Sequence, residues 1–132
     1  MVGDIQEFLE HPVWAVIGVS LDPEKYGSKV YFQLKKAGYT VYGVNPKLNE
    51  IEGEKIYPNL ANLPVKPDAV SVVVPPKATE QVVKDCIDLG ITRVWMQPGS
   101  ESAEAIQNGE AHSIHVIHDQ CVLIQTRDRI KA

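Results

Sequence analysis

Residues 14–46, WAVIGVSLDPEKYGSKVYFQLKKAGYTVYGVNP, constrain the fold of this chain more than any other segment. They have the pattern of a buried strand, a turn of small residues, an amphipathic helix and a second strand that ends at Asn45-Pro46. A strand that leads through a glycine-bearing turn into a helix brings unpaired backbone N–H groups and the positive end of the helix dipole to one place. Such a place favours phosphate binding. The segment therefore predicts a βαβ unit with an anion site at its first turn.

The rest of the chain continues this alternation of strand and helix patterns. Apolar runs of strand length lie at 13–19, 39–44, 69–74, 92–96 and 114–117, with shorter strand patterns at 54–58 and 122–125. Helical spacing is found at 5–10, 27–37, 79–89 and 101–108, with Thr79 expected as an N-cap and Gly38, Gly90 and Gly109 as C-terminal caps. This order predicts a parallel sheet with helices on both faces. Right-handed crossovers narrow the fold to a single α/β domain over residues 1–132, with a doubly wound, mainly parallel, Rossmann-like sheet.

Composition excludes several classes of partner. The net charge is −4 and no long basic stretch occurs, so we expect no nucleic-acid partner. No apolar run approaches the ~20 residues that span a bilayer, so we expect no membrane association. Cys86 and Cys121 do not form a Cys-x-x-Cys pair. Two reduced thiols and no disulfide indicate a cytoplasmic protein.

In doubly wound sheets, ligands bind beyond the carboxyl ends of the strands. Here those ends lead into residues 18–27, 45–47, 74–77 and 97–99, where we place the site. The first turn matches neither the G-x-G-x-x-G nor the P-loop pattern, so a purely structural turn and a phosphate site both stay open. Lys25 and Lys29 near the helix start favour an anion there. Asn45-Pro46-Lys47 stands where nicotinamide sites usually carry an acidic residue, which argues against NAD.

Nothing in the chain predicts a metal site or a catalytic group. His112, His115, His118, Asp119 and Cys121 are the residues that most resemble a ligand cluster, but no three of them have zinc-type spacing. No Ser-His-Asp order, nucleophile elbow or carboxylate pair is present, and Cys86 has no histidine nearby in sequence. We therefore expect a binding protein without metal and without turnover of its own.

With these motifs in order, the chain resembles the stand-alone CoA-binding domain family, which is related to the N-terminal nucleotide-binding domain of the succinyl-CoA synthetase α subunit. The matching segments are WAVIGVSLDPEKYG, GYTVYGVNP, YPNLANLP, SVVVPP, VWMQPG and the C-terminal Asp119-Gln120-Cys121. They cover nearly the whole chain. None of the four histidines matches the phosphorylated histidine of a synthetase α subunit, so the resemblance does not imply ligase activity.

The resemblance implies coenzyme A, or an acyl-CoA, as the ligand, and it implies a role for each matching residue. Gly18, Val19, Ser20, Lys25 and Gly27 would hold CoA phosphate in the first turn, and Asn45, Pro46 and Lys47 would contact the adenosine 3′-phosphate end. Val74 and Pro75 would pack on the adenine or the pantetheine arm, and Gln97 would close the far side. Lys77 is placed at the rim by its position alone. Ser100-Glu101-Ser102, after Gln97, departs from the pattern expected of the family.

Two other interpretations stay open at the level of sequence. The first is an NAD(P)-binding oxidoreductase-type domain or redox switch, against which the missing acidic residue after Val44 argues. The second is a protein-interaction module in which the turn is only structural. A homodimer or a protein partner is compatible with each interpretation.

Overall fold

The computed structural model describes residues 2–129, with side chains from residue 5 onward. The helices are α1 Val2–Leu9, α2 Tyr26–Lys36, α3 Pro76–Leu89, α4 Ala103–Ala111 and α5 Val122–Thr126, with 3₁₀ turns at Leu60–Asn62 and Arg127–Arg129. The strands are β1 Val13–Ile17, β2 Thr40–Val44, β3 Glu50–Ile51, β4 Glu54–Tyr57, β5 Ala69–Val72, β6 Arg93–Met96 and β7 His115–Ile117.

The strands form one sheet in the order β3-β4-β2-β1-β5-β6-β7. Every pairing is parallel except that of β3 with β4. The chain leaves β1 toward β2 on one side and leaves β5 toward β6 on the other. The strand order therefore reverses between β1 and β5, where doubly wound sheets open a crevice for ligands. The predicted Rossmann-like fold is confirmed.

Side-chain alternation along the strands builds a core on each face of the sheet. Trp14 and Val16 point to the face covered by α1, α2 and α5, whereas Ala15 and Ile17 point to the face covered by α3 and α4. Strands buried on both faces have near-continuous apolar sequences, as seen in β1 and β5. Helices therefore lie on both faces, as predicted.

Two of the predicted helix caps are wrong. Helix α3 begins at Pro76 rather than after Thr79, because proline suits the first helical position, where its missing N–H is not needed. Thr79 is instead fully buried within the first turn. Gly109 does not end α4, which continues to Ala111, because the absent side chain lets this helix lie close to Val116.

The predicted terminal strand at 122–125 is also wrong, since this segment is helix α5. Its buried residues, Val122 and Thr126, are four apart, which suits a helix rather than a strand. The Gln33 amide of α2 donates to the Leu123 carbonyl at 2.6 Å and to Thr126 Oγ1 at 2.9 Å, so the segment folds back onto α2. The antiparallel β3–β4 hairpin was not predicted either.

An ion-pair cluster fixes α1 to the amino edge of the sheet, opposite the predicted site. Arg93 donates from Nε and Nη2 to Glu7 Oε1 and Oε2 at 2.9 Å each, and His11 bonds the same carboxylate at 2.7 Å. No helix in the described part of the chain is long and apolar enough to cross a bilayer. Cys86 and Cys121 are both free thiols.

Candidate functional site

The carboxyl ends of the central strands meet in one short region. The Gly18 amide donates to the Val44 carbonyl at 3.0 Å, and the Val73 amide donates to the Ile17 carbonyl at 2.8 Å. These bonds place the ends of β1, β2 and β5 side by side at the point where the strand order reverses. Four predicted site segments begin at neighbouring strand ends, since β6 follows β5 in the sheet.

Two glycines make the first turn tight enough for its backbone to approach α2. Gly18 has φ +102°, and a Cβ there would lie 2.0 Å from the Val73 carbonyl oxygen. A Cβ on Gly27 would lie 1.9 Å from the carbonyl oxygen of Gly18. The Ser28 hydroxyl donates to the Ser20 carbonyl at 2.5 Å and fastens the turn to the helix. Both glycines are therefore required by close backbone approach.

The helices that follow β1 and β5 have N-termini without side-chain caps. The N-cap of α2 is Lys25 and that of α3 is Pro75, and neither side chain caps its helix. Neither helix has an acidic residue in its first turn. In contrast, Ser102 caps α4 by accepting from the Ala105 amide at 3.2 Å. The two helices at the crevice thus keep the positive ends of their dipoles available for an anion.

Asn45 joins the end of β2 to the first turn. Its Nδ2 donates to the Val19 carbonyl at 2.8 Å, and its Oδ1 accepts from the Lys47 amide at 2.8 Å. The Asn45 side chain therefore fixes the shape of both loops. Pro46 and Lys47, which follow it, are exposed at the carboxyl edge.

A cavity of about 130 Å³ opens beside this loop, between β1, β2 and α3. It is lined by Ile17, Val44, Pro46, Pro58, Asn59, Leu60, Val82 and Asp85. Only Pro46 among these was predicted as a site residue. Pro58, Asn59 and Leu60 lie within the segment YPNLANLP, but their place beside β1 depends on the sheet order, which no local pattern reveals.

Gln97 lies behind the site rather than on its surface. It is fully buried, and its Oε1 accepts from the Val122 amide at 3.0 Å and the Tyr26 hydroxyl at 3.2 Å. Its Nε2 donates to Ser71 Oγ at 3.0 Å. The Tyr26 hydroxyl also lies 2.7 Å from Cys121 Sγ. Burial of the hydroxyl is the main cause that raises the pKa of Tyr26 well above its usual value, and the contact with Cys121 is the second. The network ties β5 and β6 to the starts of α2 and α5.

The Ser100-Glu101-Ser102 segment braces the opposite wall of the crevice. Ser100 Oγ accepts from the Val74 amide at 3.1 Å, so it fixes the loop between β5 and α3. The Ser102 hydroxyl donates to Glu80 at 2.7 Å, and Glu101 accepts from the Gly99 amide at 2.8 Å. Sequence reasoning gave these residues no role.

The histidine-rich segment, residues 112–121, does not bring three potential metal ligands together. His118 bonds Asp119 at 2.6 Å, and His112 lies 2.8 Å from the Asn108 carbonyl. Within residues 2–129 no three His, Cys, Asp or Glu side chains are grouped to hold a metal ion. Burial raises the pKa of the Cys86 thiol to about 12, which keeps it protonated and unreactive near neutral pH.

A family model described as "CoA binding domain" matches residues 12–127 of this chain. The chain belongs to that family. The match runs from the start of β1 to the end of α5, so it includes every segment of the candidate site.

Curated relatives include a large enzyme subunit and a small protein. The α subunit of ADP-forming acetate–CoA ligase II from Pyrococcus furiosus is 32% identical over an alignment of 119 residues, and the match covers 82% of this chain and 26% of the subunit. The chain thus spans about a quarter of the length of that ligase subunit. The uncharacterized protein YneT from Bacillus subtilis is 27% identical, with 83% of this chain and 82% of YneT covered.

Solved structures of similar size have the same fold. A hypothetical protein from Pyrococcus horikoshii has a TM-score of 0.89 and 30% identity, covering 98% of this chain and 92% of its own. A conserved hypothetical protein from Pyrococcus furiosus has a TM-score of 0.82 and 36% identity, covering 86% and 98%. The family therefore includes chains of this size as well as parts of larger ligases.

Proposed function

We propose that this chain binds coenzyme A or an acyl-CoA across the carboxyl ends of its parallel strands. The observation that carries the proposal is the close seating of α2 against the β1 turn, through Gly18 and Gly27, at the point where the strand order reverses. The N-termini of α2 and α3 both open there without caps. Family membership supports CoA as the ligand, and the uncapped helix starts support a phosphate site at this place.

The first turn would hold the CoA diphosphate. Gly18, Val19 and Ser20 supply backbone at close range, and Gly27 lets the start of α2 approach it. The Lys25 side chain is exposed beside this helix start and adds a positive charge. Backbone N–H groups, the dipole of α2 and the positive charge of Lys25 together suit a diphosphate. They supply local positive charge in a chain whose net charge is −4.

The β2 exit would hold the adenosine end. Lys47 is exposed there and would face the 3′-phosphate, while Pro46 presents an apolar surface. Asn45 would position this loop through its bonds to Val19 and Lys47, since those bonds already use both ends of its amide.

The loop between β5 and α3 would form the opposite wall. Val74 is half-buried and held by Ser100, whereas Pro75 is exposed at the N-cap of α3, so both can pack on an apolar part of the ligand. Lys77 is exposed in the first turn of α3, at the rim. We assign Gln97 a positioning role, because its side chain has no exposed surface.

The site does not favour NAD. Nicotinamide sites place a carboxylate after the second strand to accept hydrogen bonds from the ribose hydroxyls. Here Asn45 occupies that position, and its carbonyl oxygen already accepts from the Lys47 amide. An adjacent lysine favours a phosphate at this end instead of a diol.

We further propose that the chain does not turn over CoA by itself. The Cys86 thiol is buried, and His112 and His118 bond to residues near them in sequence, Asn108 and Asp119. The match to this chain covers only 26% of the ligase subunit that it resembles. Any ligase chemistry would therefore come from a partner chain that uses the bound CoA.

Isothermal titration with CoA, dephospho-CoA, NAD and ATP tests the proposal. We expect CoA to bind most tightly. Lys47→Gln should weaken CoA binding by about fivefold, as expected for one exposed ion pair, and should leave dephospho-CoA unchanged. Lys66→Gln, a change of equal charge at the amino edge of the sheet, is the matched control. Tighter binding of NAD than of CoA, or equal losses in the two variants, would contradict the proposal.

A further inference from the structure

The cavity beside Pro46 is lined by the carboxylate of Asp85, the amide of Asn59 and otherwise apolar side chains. We propose that this cavity binds the adenine ring and that Asp85 accepts a hydrogen bond from its 6-amino group. The site would then select adenine over 6-oxo purines. This inference rests on the proposed function and identifies the residue that reads the base.

The cavity has the size and the walls for a single flat ring. Its volume is about 130 Å³, and an apolar cavity of about 150 Å³ holds benzene. Ile17, Leu60 and Val82 form apolar walls and keep only 9%, 6% and 8% of their surface exposed. A purine can insert its six-membered ring, which carries the 6-amino group, and leave its five-membered ring and the attached sugar at the opening beside Pro46.

The charges of this region determine which part of a nucleotide can occupy the cavity. Asp85 lines the cavity, and Asp88 lies one turn farther along α3 beside the groove that continues from it. Both carboxylates repel phosphate. Phosphates are favoured instead at the uncapped starts of α2 and α3, near Lys25 and Lys77. The neutral base is the part of the nucleotide that suits the cavity.

Asp85 is also oriented to accept a hydrogen bond. Gln81, one turn earlier on α3, donates from Nε2 to Asp85 Oδ1 at 3.0 Å. Oδ2 has no hydrogen-bond partner among the described residues. An ionised carboxylate is only an acceptor, so it pairs with the 6-amino group of adenine but not with the 6-oxygen of hypoxanthine.

With hypoxanthine, the Asp85 carboxylate would face the 6-oxygen, which is another acceptor. Two facing acceptors cost more binding free energy than the simple loss of a hydrogen bond. We therefore expect ADP to compete with CoA roughly ten- to a hundredfold better than IDP, the range for one hydrogen bond to a charged group. ADP and IDP share the ribose and the diphosphate, so the phosphate site contributes equally to both.

Competition titrations of ADP and IDP against CoA test the inference in three chains. The wild type should prefer ADP. Asp85→Asn should lose or reverse the preference, because its amide can donate to a 6-oxygen. Asp88→Asn removes the same charge outside the base cavity and should keep the preference.

Equal competition by ADP and IDP in the wild type would overturn the inference while leaving the proposed function intact. A preference for ADP that persists in Asp85→Asn would overturn the role of Asp85 in the same way. Failure of CoA itself to bind would overturn the proposed function and this inference together. The wild-type comparison stands even if a variant does not fold.

Discussion

Replacing Gly27 by alanine tests how closely α2 must approach the β1 turn. The added Cβ would lie 1.9 Å from the Gly18 carbonyl oxygen, whereas such a carbon–oxygen contact needs about 3.3 Å. Helix and turn must therefore separate by about 1.4 Å, the difference between these two distances. The obstacle is backbone, which cannot turn aside as a side chain can. We expect the free energy of unfolding to fall by about 3 kcal/mol, which is near the upper end of the cost of adding atoms to a well-packed core.

The same displacement should weaken CoA binding, because the backbone donors of the turn and the start of α2 would no longer converge. We expect a loss of about tenfold or more, the equivalent of one charge-assisted hydrogen bond. Urea unfolding measures the stability, and titration at a temperature where the variant is folded measures the affinity.

Gly109→Ala is the matched control. Gly109 is also a helical glycine, but the added Cβ would lie 3.2 Å from Val116 Cγ2, a side-chain atom that can move. Alanine gains about 1 kcal/mol of helix propensity over glycine, so this variant should differ from the wild type by about 1 kcal/mol or less. Equal stability and equal CoA affinity in Gly27→Ala and Gly109→Ala would refute the reasoning.

Three further predictions concern pH, burial and thiol reactivity. The hydrogen bond from Arg93 is the largest cause that lowers the pKa of Glu7 from 4.5 to about 2, so the ion pair stabilises the fold above pH 4.5 and its contribution is lost as pH falls toward 2. Because the Glu7 side chain is 44% exposed, Glu7→Gln should remove about 1 kcal/mol or less at pH 7 and little at pH 2, by urea unfolding; an equal loss at both pH values would contradict this. Gln97→Leu leaves buried polar groups unpaired and should lower the unfolding free energy by about 3 kcal/mol; a change within about 0.5 kcal/mol, the usual size of a surface effect, would contradict the network. In a thiol titration, Cys121 should react in the native chain and Cys86 only after unfolding; rapid native reaction of both would contradict the burial of Cys86.

The strands could be predicted from sequence because their pattern is local. Runs such as 13–19 and 69–74 are apolar over a strand length and end at Gly, Pro or polar residues, so both β1 and β5 were found, although each ends two residues earlier than expected. The doubly wound fold class followed from the alternation of strands with helices, but the order of the strands in the sheet was not predicted. The placement of Gly18 and Asn45 at the carboxyl ends of strands followed from that fold class.

The missed features depend on contacts between distant segments. Segment 122–125 has a strand-like sequence, yet it forms a helix because Gln33 of α2 bonds its backbone. Gly109 has the position of a helix cap but serves close packing on β7. From the sequence, Asp85 has the pattern of a solvent-exposed helix residue. Only the sheet order places it in a cavity with Ile17.

The central claim is that CoA binds at the carboxyl edge of the sheet, and ligand mapping by amide NMR tests it most directly. On addition of CoA, we expect the largest chemical-shift changes at residues 18–27, 45–47 and 73–77. Changes centred on residues 63–67 and 89–91, which line a separate groove near the amino edge, would contradict the account. So would a spectrum that CoA leaves unchanged.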